Sequence, residues 1–218
     1  MTLPIAQRAA VGRAFIDLSP ELAAIVIATI RAGWAIALTR AEVGPQANEV
    51  PMTECLRDGM REVVSSPAFD PNLLIIVAPG SESRSRPDLT TPDGRLDIGI
   101  YFAAVFRAEH DPHVVIECKR IADDDAYLIR EYVTEGIDRF CSDKYSSNHS
   151  FGCMVGYVIR GSADASVDRI NQRLASDSRP SECLNKLTDP ASGDCWSSQH
   201  PRKASKSIRL NHMILLAQ

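Results

Sequence analysis

Lysine is scarce in this chain: five of 218 residues, within 24 basic side chains that are outnumbered by 28 acidic ones for a formal charge of −4. The basic excess that often marks a nucleic-acid binder is absent. Binding depends on where charge sits, however, and not on its total. The other 19 basic residues are arginine, which suits bidentate phosphate contact and equally reflects a GC-rich genome. Paired cysteines are lacking too. Cys55, Cys118, Cys141, Cys153, Cys183 and Cys195 include no CxxC pair, and Cys183, Cys195, His200 and His212 match no structural zinc spacing. Cys55, Cys118 and Cys153 fall in apolar periodic segments and read as small buried hydrophobes in a reducing compartment. No basic-then-apolar leader opens the sequence, so a cytoplasmic location is the default expectation. There is no internal repeat. No helix-turn-helix or zinc-finger reader is visible either, so sequence specificity would require an activating or targeting partner, whose identity the sequence does not give, or very short-range contacts.

Long hydrophobic runs are also rare, with one exception. Leu22 to Leu38 is apolar, but Arg31 near its centre and a length at the short limit argue against a membrane span. Leu18-Ser19-Pro20-Glu21 supplies an N-cap, a first-turn proline and an early acid, so an N-terminal apolar helix is expected within 18–44. Ile25, Val26, Ile27, Ile30, Trp34 and Ile36 make it apolar nearly all round. Such a helix must be covered on every side, which predicts a homodimer.

One domain is expected over 1–218. A second helix should run from Asn48 through Val64, with Pro51 tolerated in its first turn and Thr53, Leu56, Met60 and Val63 or Val64 facing inward. Four apolar runs read as strands: Leu73 to Val77, Leu96 to Phe102, Val114 to Ile121 and Gly152 to Ile159. A helix is predicted over Asp125 to Cys141, another over Ala163 to Ala175, and a final strand over Ile208 to Leu216. The Ser-, Pro-, Asp- and Lys-rich stretch 176–206 lacks apolar periodicity and is expected to be a flexible loop.

Charge then appears where strand cores should be apolar. Asp97 interrupts Leu96-Asp97-Ile98-Gly99-Ile100-Tyr101-Phe102, and 20 residues later Glu117-Cys118-Lys119 interrupts a β-branched run. Side chains alternate along a strand, so Glu117 and Lys119 share one face while Ile116 and Cys118 share the other. Two carboxylates and an ammonium on one sheet patch are costly to desolvate unless they hold a metal or one another.

This motif, with the order helix, three strands, helix, strand over about residues 48–160, resembles the PD-(D/E)xK nuclease superfamily. The segment Arg130 to Phe140 is similar to a bacterial branch of restriction-like proteins. The resemblance implies an α/β fold with a restriction endonuclease-like αβββαβ core, a central mixed sheet flanked by helices. It implies a metal-dependent nuclease acting on DNA phosphodiesters in restriction, repair or defence. Asp97, Glu117 and the Cys118 carbonyl would hold Mg²⁺, with Mn²⁺ able to substitute, while Lys119 stabilises developing charge. Glu49 is the candidate acid from the first helix, although an acid favoured by the helix dipole reads the same way. Arg84 and Arg86, in the serine-rich loop Gly80 to Pro87, and Arg139 and Lys144 are candidate DNA contacts, with Tyr145 a stacking ring. A solvated loop, and an i,i+4 pair between Glu135 and Arg139, are the alternatives there.

Two other readings remain open. The chain could be a catalytically silent nuclease-like binding module, or an unrelated α/β protein whose sheet carries a charged ladder.

Overall fold

A computed structural model describes residues 17–80, 82–83, 94–105, 112–142, 144–145, 149–188, 194–202 and 206–217. In chain order the elements are α1 (Pro20–Ala37), α2 (Glu49–Ser65), β1 (Ile75–Pro79), β2 (Glu82–Ser83), β3 (Gly94–Arg95), β4 (Ile98–Phe102) and β5 (Val114–Ala122). There follow α3 (Ala126–Tyr132), α4 (Asp138–Cys141), β6 (Phe151–Arg160), α5 (Ala163–Ser176), β7 (Asn185–Lys186), β8 (Cys195–His200) and β9 (Ile208–Leu216). A π turn, Val133–Ile137, joins α3 to α4, so the helix expected over 125–141 is one rod with a wider turn in its middle.

Seven strands form a mixed sheet in the order β1-β4-β5-β6-β9-β8-β7. The pairs β1–β4 and β4–β5 are antiparallel, β5–β6 and β6–β9 are parallel, and β8 returns antiparallel to β9. Both parallel joins need a crossover, which α3–α4 and then α5 provide.

Each face of the sheet is covered by helices. On one side α1 and α2 pack on Ile116, Cys118, Cys153, Val155 and Tyr157. On the other, Ile129, Tyr132, Ile137, Phe140, Ile170 and Leu174 cover Val115, Ile121, Met154 and Val158. The alternation along β5 sends even-numbered side chains to the first layer and odd-numbered ones to the second.

α1 is long and apolar enough to cross a membrane by length and composition, but Val26, Ile27, Ile30 and Trp34 are buried inside this fold. Trp34 stacks on Tyr157 with ring centroids 5.0 Å apart and donates its indole N–H to the Leu216 carbonyl at 3.1 Å. The exposed positions of α1 are Pro20, Glu21, Ala24, Ala28, Ala32 and Ala35. Val26, Ile27, Ile30 and Trp34 are thus covered within one chain, while Leu22, Ile25 and Ile36 are half-buried. That covering depends on a close crossing with α2. A Cβ on Gly59 would collide with the Gly33 carbonyl oxygen, and one on Gly33 would come within 2.7 Å of the Met60 backbone nitrogen.

The flexible loop expected over 176–206 is corrected. The stretch includes β7 and β8, and β8 pairs along its full length with β9. The inward residues of β8 are Trp196, Ser198 and His200, all buried. Two of the three are polar, so the strand lacks the apolar alternation by which strands are recognised. A hydrogen-bond chain satisfies them instead. Tyr132 Oη lies 2.9 Å from His212 Nδ1, Ser198 Oγ lies 2.7 Å from His212 Nε2 and 2.6 Å from His200 Nε2, and His200 Nδ1 lies 2.6 Å from Glu182 Oε2.

Candidate functional site

β5 runs on past the point where β4 begins. The register pairs Ile98 with Ile116 and Ile100 with Val114, while β5 continues to Ala122. The amides of Cys118 and Arg120, two residues apart, point to the same edge of β5, where no strand follows Ile98 back to meet them. Two carboxylates take the strand's place. Asp97 Oδ2 accepts the Cys118 N–H at 2.7 Å, and Glu49 Oε2 accepts the Arg120 N–H at 3.1 Å. Asp97 itself sits in a bend just before β4, a correction to its expected place inside the strand. The bend frees its carboxylate to turn toward β5. Glu49 is the first residue of α2, so the start of that helix abuts the sheet edge.

Glu117 and Lys119 project from the same face of β5 and meet each other. The Lys119 ammonium lies 2.9 Å from Glu117 Oε1 and donates to Glu49 Oε1 at 3.1 Å and to the Cys118 carbonyl at 2.9 Å. Arg139 reaches over from α4, 3.3 Å from the same Glu117 oxygen, and forms the i,i+4 pair with Glu135 at 3.2 Å. The ion-pair reading of Glu135 therefore holds, and Arg139 joins that pair to Glu117. The π turn ahead of α4 includes Gly136, where a Cβ would collide with the end of the Met154 side chain and lie 3.6 Å from Lys119 Cγ. A side chain there would require the buried Met154 methyl to turn aside, while meeting the lysine stem at ordinary contact distance.

Glu49, Val50, Thr53, Gly80, Arg95, Asp97, Glu117, Lys119 and Arg139 line a cleft of about 340 Å³. Glu117 is fully buried. Burial first, and the Asp97 charge second, push its carboxyl up to about 7 despite Lys119 and Arg139. Burial likewise raises Asp97 above the usual carboxylate range, against the Cys118 amide and Lys119. Burial opposes the Lys119 ammonium, but Glu117 and Glu49 outweigh it and hold the lysine above its ordinary value. Lys119 is therefore a fixed cation. Glu117 Oε2 is buried without a hydrogen-bond partner among the described residues. That free oxygen and the Asp97 carboxylate are hard donors of the kind a divalent cation takes, while the Cys118 carbonyl already accepts from Lys119 at 2.9 Å.

The remaining expectations divide. Glu49 reaches Lys119 and β5, whereas Glu54 lines the cleft but pairs with Arg57, and Glu62 pairs with Arg40. Arg84 and Arg86 lie outside the described residues. Lys144 is exposed beyond α4 and does not line the cleft. Tyr145 is corrected: it is buried and cannot stack on a nucleobase. Its ring packs edge-on against Phe140, and its hydroxyl accepts from Arg139 at 2.7 Å and donates to the Arg95 carbonyl. It positions the arginine. Sequence reasoning missed Arg95 and Arg120, although each sits within two residues of a motif acid or lysine.

Among the described residues, Cys141, Glu182 and His200 bring three metal-type ligand atoms within 4.8 Å of one another. Arg179 already occupies that place, donating to Glu182 at 2.7 Å, to Asp138 at 2.6 Å and to Cys141 Sγ at 3.6 Å. A guanidinium among the ligands does the work of a cation and repels a second one.

No family model, curated protein or solved structure matches this chain.

Proposed function

We propose that the protein is a metal-dependent nuclease of the PD-(D/E)xK type that hydrolyses DNA phosphodiester bonds, with the sheet β1-β4-β5-β6, α2 and α3–α4 as its restriction endonuclease-like core. One observation carries this reading: Asp97, Glu117, Lys119 and Glu49, four charged groups from β5, α2 and the bend before β4, line a single cleft, and the most buried carboxylate keeps an unpartnered oxygen. A protein gains nothing in stability from that arrangement, since burying charge costs more than it returns unless every group is paired.

Asp97, Glu117 and the Cys118 carbonyl would hold Mg²⁺, or Mn²⁺ in its place. Such an ion neutralises phosphate charge and acidifies a water molecule. Lys119 contributes a permanent positive charge to the developing oxyanion and does not serve as a base, because its carboxylate neighbours keep it protonated. Glu49 orients the Lys119 ammonium and ties α2 to β5. Arg139, braced by Tyr145, presents a forked donor to a phosphate oxygen. DNA is the proposed partner, and a cytoplasmic location suits it.

A second reading, a silent nuclease-like binding module, draws on the fact that Lys119 and Arg139 both engage the same Glu117 oxygen. Cleavage of plasmid, linear and single-stranded DNA, with RNA as control, separates the two. The nuclease reading expects Mg²⁺-dependent cutting that EDTA abolishes and Lys119→Ala lowers by roughly 10²–10³-fold. Cutting in EDTA would overturn it. If nothing is cut, calorimetry decides: the silent module is favoured by an absence of Mg²⁺ or Mn²⁺ binding that depends on Asp97 and Glu117.

A further inference from the structure

A second groove of about 570 Å³ opens on the other side of Lys119, sharing Glu49, Val50, Lys119 and Arg139 with the acidic cleft and continuing over Arg120, Tyr127 and Leu128. Two of the most exposed large hydrophobic side chains of the described chain line it: Val50 at 69% and Tyr127 at 59%. An exposed aromatic ring among arginines in a groove is the arrangement on which nucleobases stack. Tyr127 stands in the first turn of α3, held by Asp125, whose Oδ1 accepts the amides of Tyr127 at 3.0 Å and Leu128 at 3.2 Å. The Arg130 guanidinium lies 5.0 Å from its ring centroid. The acids of this groove are engaged: Glu135 with Arg139, Glu131 with Arg130, Glu49 with Lys119. Arg120 is different, since its guanidinium donates to the neutral Ala47 carbonyl at 3.4 Å.

We propose that this groove seats an unpaired nucleotide next to the phosphate held at Lys119, its base stacked on Tyr127 and its own phosphate on Arg120. The substrate class is therefore nucleic acid with a single-stranded or splayed nucleotide beside the cut, which rests on the nuclease reading of the adjoining cleft. A stacked π-face with a cation behind it binds any base, and Val50 offers an apolar edge to the sugar or base. In a continuous duplex the base faces are already stacked on one another and cannot reach the ring.

The test is binding in EDTA of short single-stranded DNA with 2-aminopurine at successive positions, compared with blunt duplex DNA and single-stranded RNA. The full chain and its Tyr127→Ala, Tyr127→Phe and Arg120→Gln variants are compared, with circular dichroism to verify folding. Tyr127→Ala is expected to weaken single-strand binding about tenfold and abolish the 2-aminopurine signal, as loss of one stacked base does. Tyr127→Phe should retain both, and duplex affinity should not change. Equal loss on RNA identifies the unpaired base alone as the ligand; loss on DNA only adds the deoxyribose to it. Unaltered single-strand binding by Tyr127→Ala, or equal loss on duplex and single strands, overturns the proposal. Mg²⁺-dependent plasmid cleavage by the wild type reads the nuclease separately. Tyr127-dependent binding without cleavage keeps the platform and leaves the nuclease to be decided by Mg²⁺ calorimetry, while cleavage with an indifferent Tyr127 keeps the nuclease and rejects the platform.

Discussion

Glu49 Oε2 accepts the backbone N–H of Arg120 at 3.1 Å across 71 residues of sequence, filling a position a neighbouring strand would otherwise occupy. Its other oxygen holds Lys119. One carboxylate thus closes the sheet edge and orients the cation. Glu49→Gln retains an acceptor for the amide, so it should lower cleavage more than stability. Glu49→Ala loses both contacts, and its melting temperature should fall further than that of the glutamine variant, corresponding to about 1–2 kcal/mol more.

Lys119→Ala should reduce cleavage by roughly 10²–10³-fold, the scale of losing one preorganised charge at a developing oxyanion. Lys119→Arg should not rescue it, because the planar guanidinium cannot take the place of an ammonium between Glu49, Glu117 and the Cys118 carbonyl. Folding is not indifferent to this residue, since Glu117 is fully buried and would keep only Arg139. Steady-state cleavage and thermal melts on both variants check these outcomes; full activity in Lys119→Ala would reject the mechanism.

In the metal-free protein the contribution of Glu117 to stability should fall as pH rises. Glu117 is pushed up to about 7 in the fold against 4.5 in an ordinary carboxyl. Its contribution is complete below 4.5, where both states are protonated, and disappears as pH climbs through about 7, where the unfolded chain has long since released the proton. The expected loss is on the order of 3 kcal/mol between these limits. Asp97 acts in the same direction. Denaturant titrations in EDTA should show this decline in the wild type and a flatter curve in Glu117→Gln. Added Mg²⁺ should restore stability at alkaline pH in the wild type alone.

The buried histidines act in the opposite direction over an overlapping range, so the Glu117 effect is read as the difference between the wild type and Glu117→Gln. Burial holds His212 well below, and His200 below, the ordinary value of 6.5. Both are neutral in the fold, so the stability they confer is intact above 6.5 and is lost progressively below it, as the unfolded chain takes up protons that the folded chain refuses. Ser198→Ala would leave both facing ring nitrogens without their partner and should cost about 1–3 kcal/mol. A melting series from neutral pH downward reads both effects.

Gly59→Ala should destabilise the protein by about 1–3 kcal/mol, the usual range for overpacking. The added methyl meets a backbone oxygen of α1, which cannot swing aside as a side chain would. Displacing α2 also moves Glu49, so cleavage should fall along with the melting temperature.

Periodicity made most elements legible. The expected helix from Asn48 to Val64 is α2, and the expected strand Ile208 to Leu216 is β9. An apolar face repeats at the pitch of the element that buries it, so these segments state their own structure. The charged motif was legible for the converse reason: Asp97, Glu117 and Lys119 break such patterns, and a break must have a cause. Other features had no local signal. β8 turns Ser198 and His200 inward, and only partners at His212 and Glu182 make that burial tolerable. Gly33 and Gly59 look like weak points in two helices until the helices cross there. Tyr145 resembles a surface aromatic in sequence, yet Phe140, Arg139 and the Arg95 carbonyl enclose it. The sequence by itself determined which segments have a buried face and where charge would be out of place. Only the tertiary structure decided which distant groups satisfy one another, because hydrogen bonds and ion pairs between remote residues depend on where the chain brings them, and leave no period along it.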